Sequence, residues 1–357
     1  MFSIVIPNYN GCQYLDLCLK SLQAQSLKNF EVIMVDSGSS DDSITFVQNH
    51  FPHVKIVSLE TNKGFSHATN RGIACAQHPF IALLNNDTEV TPSWLKNIQS
   101  VFFERPDISC VTSKMIDFHN RLVLDGAGDE YTRGGLAAKF GRGLPEVEFQ
   151  QRREAFSACA GASVFRAALF KDIGLLDEDF FANYEDIDFS LRIRAAGHKI
   201  LYVPEAMVYH VGGATLGGVT SSKAISLTTR NMISVLIKNW PLTLLIRFLP
   251  YIIFHQTLWF FLCVKQGQTL SHLKGILGAI KQLQKTLRKR QKQNEFRKIS
   301  NNEFIELIRC SERRLLKLKL RTSRGLQHSL VLLYARLSGL CLTGKTESIT
   351  SNKRNFA

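Results

Sequence analysis

Residues 2–11, FSIVIPNYNG, decide the fold. Residues 2–6 form a short apolar run rich in β-branched side chains, Pro7 stops it, and Pro7-Asn8-Tyr9-Asn10-Gly11 makes a turn. Leu15, Cys18, Leu19 and Leu22 then recur at helical spacing to about Gln25. Residues 30–35 are a second apolar run, continuous rather than alternating, as in a strand covered by helices on both faces. Residues 54–59, 80–84 and 108–111 repeat the pattern, and helical stretches fall near residues 43–50, 65–77 and 93–104. Strand and helix alternating at this spacing predict a Rossmann-like α/β fold, a doubly wound and mostly parallel sheet with right-handed crossovers.

The first turn also excludes two function classes. A dinucleotide-binding domain needs G-x-G-x-x-G there, so that backbone can approach a pyrophosphate. This turn has one glycine and three side chains that can bond to or stack on a base, and no G-x-x-x-x-G-K-[ST] occurs anywhere. Nucleotide binding by side chains stays open.

Four further words follow in order: VDSGSSD (35–41), NKGF with TNRG (62–65 and 69–72), LLNNDTEV (83–90), and NYEDIDFSLRIRAAGHKI with VYH (183–200 and 208–210). Asp36 stands at a strand end, where a carboxylate can accept from a base edge or a ribose hydroxyl, while Asp41 suits a turn or a helix cap. Asn85-Asn86-Asp87 ends an apolar run and offers hard oxygens to Mg²⁺ or Mn²⁺, although such a turn is often only a turn. Glu185, Asp188 and Arg192 lie three and four apart, which suggests a solvated ion-pair network on one helical face. Asp186 points elsewhere, beside aromatic residues, where partial desolvation can give it the basicity a general base needs. His210 follows an apolar run and reads as structural or as a ligand.

Over its first 220 or so residues the chain resembles family 2 glycosyltransferases with the GT-A fold, of the bacterial rhamnosyltransferase-like type. The resemblance rests on P-x-Y-N, D-x-S-x-D, N-x-G-F with N-x-G, a D-x-D position, and E-D followed by R-x-x-x-G and a histidine. It implies that Pro7, Asn10 and Asp36 line the base and ribose pocket, and that Asn62, Gly64 and Asn70 frame the nucleotide and diphosphate. Asn85 and Asn86 would contact the donor, Asp87 and His210 would hold a divalent metal, Mg²⁺ or Mn²⁺, and Asp186 would be the catalytic base. Asn85 departs from the pattern, which has aspartate there, so the metal site carries one charge fewer.

The implied reaction is an inverting transfer of a sugar from a nucleotide-diphosphate donor, dTDP-rhamnose or a UDP-sugar, to a hydroxyl. The acceptor would be lipid-linked or a glycan, in cell-envelope polysaccharide synthesis. A two-carboxylate glycoside hydrolase fits less well, because a metal-bound diphosphate leaves without an acid. The alternative of another class is a catalytically silent, membrane-associated nucleotide-binding or scaffold protein.

Residues 115–156 are glycine-rich and mixed in charge, the texture of an irregular surface excursion. Residues 265–357 hold 21 basic against 5 acidic side chains, a net of +16. Just before them, residues 240–264 are apolar and aromatic but broken by Arg247, Pro250, His255 and Gln256. That stretch is too interrupted to span a bilayer cleanly. It suits helices lying in the interface, anchored by Trp240, Tyr251 and Trp259, with the basic run from Lys281 to Lys292 on an anionic leaflet. A buried helix of a soluble domain is the competing reading, and nucleic acid is not expected as a partner. The expected organisation is a catalytic domain over 1–225, a membrane-associating helical region over 226–341 and a disordered tail over 342–357. Eight cysteines without C-x-x-C or zinc spacing, and a first strand beginning at Phe2, suggest reduced thiols, no leader and a peripheral or monotopic protein on the cytoplasmic face of the cell membrane.

Overall fold

The computed structural model describes residues 1–212, 218 and 220–339. The first half is β1 (Phe2–Asn8), α1 (Cys12–Gln23), β2 (Phe30–Asp36), α2 (Ser43–His50), β3 (Lys55–Ser58), α3 (Phe65–Cys75) and β4 (Phe80–Leu84). β1 pairs in parallel with β2 and with β4, and β3 extends the sheet beyond β2. β1 runs past Pro7 to Asn8, so the strand itself delivers the Asn8 side chain to the sheet's carboxyl edge.

Next come β5 (Thr88–Val90), α4 (Trp94–Glu104) and β6 (Ile108–Asp117). β6 is longer than its apolar signal because Thr112, Ser113 and Lys114 are buried in it. Ser113 accepts from Trp94 Nε1 at 2.9 Å and Lys114 pairs with Glu146, so polar residues sit inside without an unsatisfied group. After β7 (Leu124–Gly126), β8 (Asp129–Tyr131), β9 (Ala137–Lys139) and β10 (Arg153–Glu154), the chain returns as β11 (Ala162–Arg166). β11 is antiparallel between β4 and β6, and β12 (Lys199–His210) is parallel to β6. The resulting order, β10-β12-β6-β11-β4-β1-β2-β3, is a mixed and mostly parallel sheet. Leu15, Leu19, Trp94 and Ile98 cover one face. Ala68, Ile73, Phe170 and Phe189 cover the other, the last two from α5 (Ala167–Ile173) and α6 (Glu185–Ala195).

The glycine-rich segment is not a surface excursion. Asp125, Asp129, Glu130 and Arg133 are all buried. Glu130 meets Arg153 at 2.8 Å and Arg314 at 2.9 Å, and Arg133 meets Glu312 at 2.5 Å. Buried charges need such partners, and two of these come from far along the chain, so the local sequence reads as solvated.

The C-terminal region is α7 (Ser222–Asn239), α8 (Leu242–Arg247), α9 (Leu249–Lys265), α10 (Thr269–Phe296), α11 (Asn301–Thr322) and α12 (Gly325–Leu337). It is fused to the sheet domain by a shared core in which Phe156, Phe180 and Leu191 meet Val235, Trp240 and Phe304. Trp240 is therefore no interface anchor: it is 1% exposed, with ring centroids of Phe304 and Phe248 at 5.8 and 6.0 Å. Trp259 donates to Thr229 Oγ1 at 2.8 Å, and the Arg133 guanidinium lies 4.6 Å over Tyr251, so those anchors also face protein. The basic run is partly paired with protein groups as well. Lys285 meets Asp179 at 2.5 Å, Lys289 pairs with Asp177, and Arg290 donates to Ile237 O at 2.8 Å. Among the described residues no helix is long and apolar enough to cross a membrane. The tail expected over 342–357 lies outside the described residues.

Candidate active site

The carboxyl edge of β1, β2 and β4 is held by a polar lattice. Asp36 accepts from Asn8 Nδ2 at 2.9 Å, Ser39 N at 2.9 Å and Ser39 Oγ at 2.6 Å. Asn10, at φ +49, donates its N–H to Ser39 Oγ at 2.8 Å and accepts from Ser40 N at 2.8 Å. Asn86 Nδ2 donates to Asn8 Oδ1 at 2.7 Å. A side chain at position 11 would overlap Asn86, so Gly11 lets the first turn lie against the Asn85-Asn86-Asp87 turn. Asp41 accepts from Ser43 N at 3.1 Å and Cys12 N at 3.0 Å, and serves as a turn residue that ties the start of α1 to that of α2.

Asp87 and His210 meet across the sheet. Val211 N donates to Asp87 O, Gly212 N donates to Asp87 Oδ2 at 3.1 Å, and His210 Nε2 lies 3.4 Å from Asp87 Oδ1. The other ring nitrogen, Nδ1, is 2.8 Å from Asp125 Oδ2, which also meets Lys139 Nζ at 2.6 Å. Burial pushes the Asp87 carboxyl up, but the His210 bond and charge and the Gly212 N–H outweigh it and hold it below the usual range. Burial pulls His210 down, and its two carboxylates more than reverse that.

Asp186 opens α6 after a strained approach. Phe181, Asn183 and Tyr184 all have positive φ, at 64°, 68° and 68°, a conformation costly for side-chain-bearing residues and common at functional sites. Asn231 on α7 donates to the carbonyls of Phe180, Ala182 and Asn183, and Arg230 donates to those of Asp179 and Phe180. Gly64, at φ +98, packs on the Phe181 backbone where any Cβ would overlap, and Asn62 Oδ1 fixes it by accepting Gly64 N at 2.9 Å. Asn70 bonds to Leu176 through both ends of its amide and donates to Glu178 Oε1 at 2.9 Å. This third word therefore bolts α3 to the loop that presents Asp186.

Asp186 is partly exposed and accepts from Ile187 N at 2.8 Å. Burial raises its pKa against the N–H groups of Ile187 and Ala160 and the charge of Lys139. Asp129 and Cys159 come so close that one ligand atom of each lies within 4.8 Å of the others and of Asp186. Asp188 and Arg192 are not solvated. They are 0% and 3% exposed, 3.1 Å apart, and Lys238 binds Asp188 at 2.8 Å and Asp177 at 2.7 Å.

These contacts close a ring. Asp36, Asn8 and Asn86 lead to the 85–87 turn; Asn85 N donates to Gly161 O at 2.9 Å, beside Ala160, which donates to Asp186. Lys139 connects Asp186 and Asp129 electrostatically to Asp125, and Asp125 leads through His210 back to Asp87. The ring can take a proton at Asp186. A divalent cation fits at Asp87 and His210: a carboxylate faces an imidazole nitrogen whose partner nitrogen is held by a second carboxylate, the arrangement that orients metal-bound histidines. An N,O pair of this kind suits Mn²⁺ better than Mg²⁺. Asp125, Asp129, Lys139, Arg230 and Asn231 escaped the sequence reading. Only the run of acidic residues at 125 and 129 could have drawn notice.

The sequence model for glycosyl transferase family 2 matches residues 3–174. The chondroitin synthase of Escherichia coli is 30% identical over 131 residues, 35% of this chain and 19% of that protein. The poly-beta-1,6-N-acetyl-D-glucosamine synthase of Staphylococcus epidermidis is 25% identical over 221 residues, 60% of this chain and 51% of that protein. The chain thus spans about half of these relatives or less. The structure of S. aureus TarS 1-349 in complex with UDP-GlcNAc superposes with a TM-score of 0.52 at 20% identity, covering 95% of this chain and 88% of that one. Over residues 3–174 the chain is thus similar to glycosyl transferase family 2, and it is built on the GT-A fold.

Proposed function

We propose that this protein is an inverting glycosyltransferase that moves a sugar from a nucleoside-diphosphate donor to a hydroxyl of a lipid-linked or glycan acceptor. The observation that carries the reading is Asp186: an accessible carboxylate of raised basicity, fixed on the same ring as the Asp87–His210 pair. Asp186 draws the proton from the acceptor hydroxyl, the acceptor oxygen bonds to the anomeric carbon, and the bond from that carbon to the diphosphate breaks. Attack opposite the leaving group inverts the centre. A divalent cation at Asp87 and His210 would neutralise charge on the departing diphosphate. Pro7, Asn10 and Asp36 shape the nucleotide side, and Asn85 and Asn86 face the donor.

The TarS complex makes UDP-GlcNAc the first donor to try, with dTDP-rhamnose and other UDP-sugars next. A cell-envelope polysaccharide is the acceptor class favoured by the synthases that the chain resembles. Nucleoside diphosphate release from these donors, with and without Mn²⁺ and envelope glycolipid extracts, tests the reading. No binding and no turnover with any of them would leave a silent scaffold instead.

The helical region is proposed to rest on the anionic cytoplasmic leaflet. The reason lies on α10, where Leu270, Leu273, Leu277, Ile280 and Leu287 recur three, four and seven apart and are 74%, 46%, 56%, 61% and 43% exposed. Lys274, Lys281 and Arg288, seven apart and exposed, line one edge of that stripe. A helix with an apolar face and a cationic margin lies in a membrane interface rather than across it.

A further inference from the structure

Asp129 has no part in the mechanism above, yet its placement demands one. It is 6% exposed, and its Oδ1 is buried without a hydrogen-bond partner. The chain has spent structure to put it there. Asp129 N donates to Ser157 O at 3.2 Å and Ser157 N donates to Asp129 O at 3.1 Å. Ser157 Oγ in turn donates to Ser190 Oγ at 2.9 Å, and Ser190 stands one helical turn after Asp186 on α6. One frame therefore fixes the backbone under both residues, and it holds a ligand atom of each carboxylate within 4.8 Å of the other.

We propose that Asp129 is a positioning residue for the base: its carboxylate raises the proton affinity of Asp186, and the two share the proton drawn from the acceptor. This rests on the reading of Asp186 as the base. Two carboxylates this close in a buried site do not both ionise readily. In the working form both are ionised. The acceptor proton goes onto the pair as the acceptor oxygen bonds to the anomeric carbon and the diphosphate leaves, and the pair returns that proton to water after product release. Burial, and then the charge of Asp186, push Asp129 up to about 7. The other groups facing the pair are Lys139 from β9, Asp125 from β7, Glu130 beside Asp129 on β8, Glu185 and Tyr184 from the start of α6, and the Cys159 thiol. Arg314 from α11 is engaged with Glu130. Lys139 tempers the repulsion without abolishing it, since Asp125 holds its ammonium at 2.6 Å.

The test is the pH profile of transfer at saturating donor for wild type, Asp129→Asn, Asp129→Glu and Asp186→Asn. Removing the like charge should lower the acid limb of Asp129→Asn by about one pH unit or more. Its rate at pH 8 should fall because the base is weaker, and Asp129→Glu should restore the wild-type limb. An Asp129→Asn profile that keeps the wild-type limb, whatever its height, overturns the proposal. Near wild-type turnover in Asp186→Asn overturns the base itself, whatever Asp129 does. Should Asp129→Asn not fold, infrared spectra of wild type carrying ¹³C-carboxyl aspartate decide. A protonated aspartate band that titrates near neutrality and moves in Asp186→Asn supports the pair, and its absence at pH 6 rules the pair out.

Discussion

Asn231 Nδ2 lies 2.6 Å from the carbonyl oxygen of Asn183, and the same amide also reaches the carbonyls of Ala182 and Phe180. A residue of the C-terminal helices thus holds the left-handed segment that aims Asp186. Asn231→Ala should cost about 1–3 kcal/mol of stability, the penalty for stranding buried carbonyls. Transfer should fall more than donor affinity, because the loop carries the base and not the nucleotide pocket. Denaturant unfolding together with kcat and donor Kd checks this, and an unchanged kcat in a destabilised protein would confine Asn231 to a structural role.

Asp186→Asn should reduce transfer by about 10² to 10⁴-fold, the usual contribution of a general base. Donor binding should survive, since the amide keeps the shape and can still face the same ring. Near wild-type turnover would move the base to Glu185, the next carboxylate in the chain.

Asp87→Ala should remove any response to Mn²⁺ and weaken donor binding. Asp125→Asn should leave the donor pocket intact but weaken Mn²⁺ by about 10 to 100-fold, as expected for losing the partner of a liganding histidine. Electron paramagnetic resonance of free Mn²⁺ reads this without turnover. Equal Mn²⁺ affinity in wild type and Asp87→Ala would empty the site of meaning.

The sequence made the first half of the sheet legible because each strand there is a clean apolar run. Ser43–His50 and Phe80–Leu84 come out as read, and β1 to β4 are found within a few residues. The words at 4–11, 35–41 and 83–90 were legible too, since polar residues ending apolar runs mark a sheet edge, and those at 62–72 and 183–200 because they open helices. Asp188, Arg192 and Arg133 were misread for one reason: a charge looks solvated until its partner is known, and Lys238 and Glu312 lie 50 and 179 residues away. Trp240 was misread likewise, because an aromatic residue beside an apolar run looks the same facing lipid or facing Phe304.

Glu185 should make the protein less stable as pH rises. Burial, and then the charge of Asp186, raise its pKa to about 8, and its Oε2 has no hydrogen-bond partner. The folded state therefore holds a proton that the unfolded state releases near 4.5. Stability contributed by this group is full below that unfolded value and is lost as pH rises towards 8. Glu185→Gln should flatten that loss, so the gain over wild type is greater at pH 8 than at pH 5 in denaturant titrations. A difference independent of pH would show that the carboxyl is ionised throughout.

The α10 stripe predicts where the protein rests. Replacing Leu273, Leu277 and Ile280 with serine should abolish co-sedimentation with phosphatidylglycerol vesicles, while the fold and donor binding persist because these residues are about half exposed and belong to no buried core cluster. Replacing Lys274, Lys281 and Arg288 with glutamine should weaken binding by up to about 1 kcal/mol for each charge and remove its salt sensitivity. Vesicles of neutral phosphatidylcholine should bind the wild type poorly. The same apolar stripe could instead bury itself against a second copy of the chain, in which case light scattering would report a dimer that the serine substitutions dissolve. A wild-type protein that stays monomeric and ignores anionic vesicles at low salt would sink the membrane proposal.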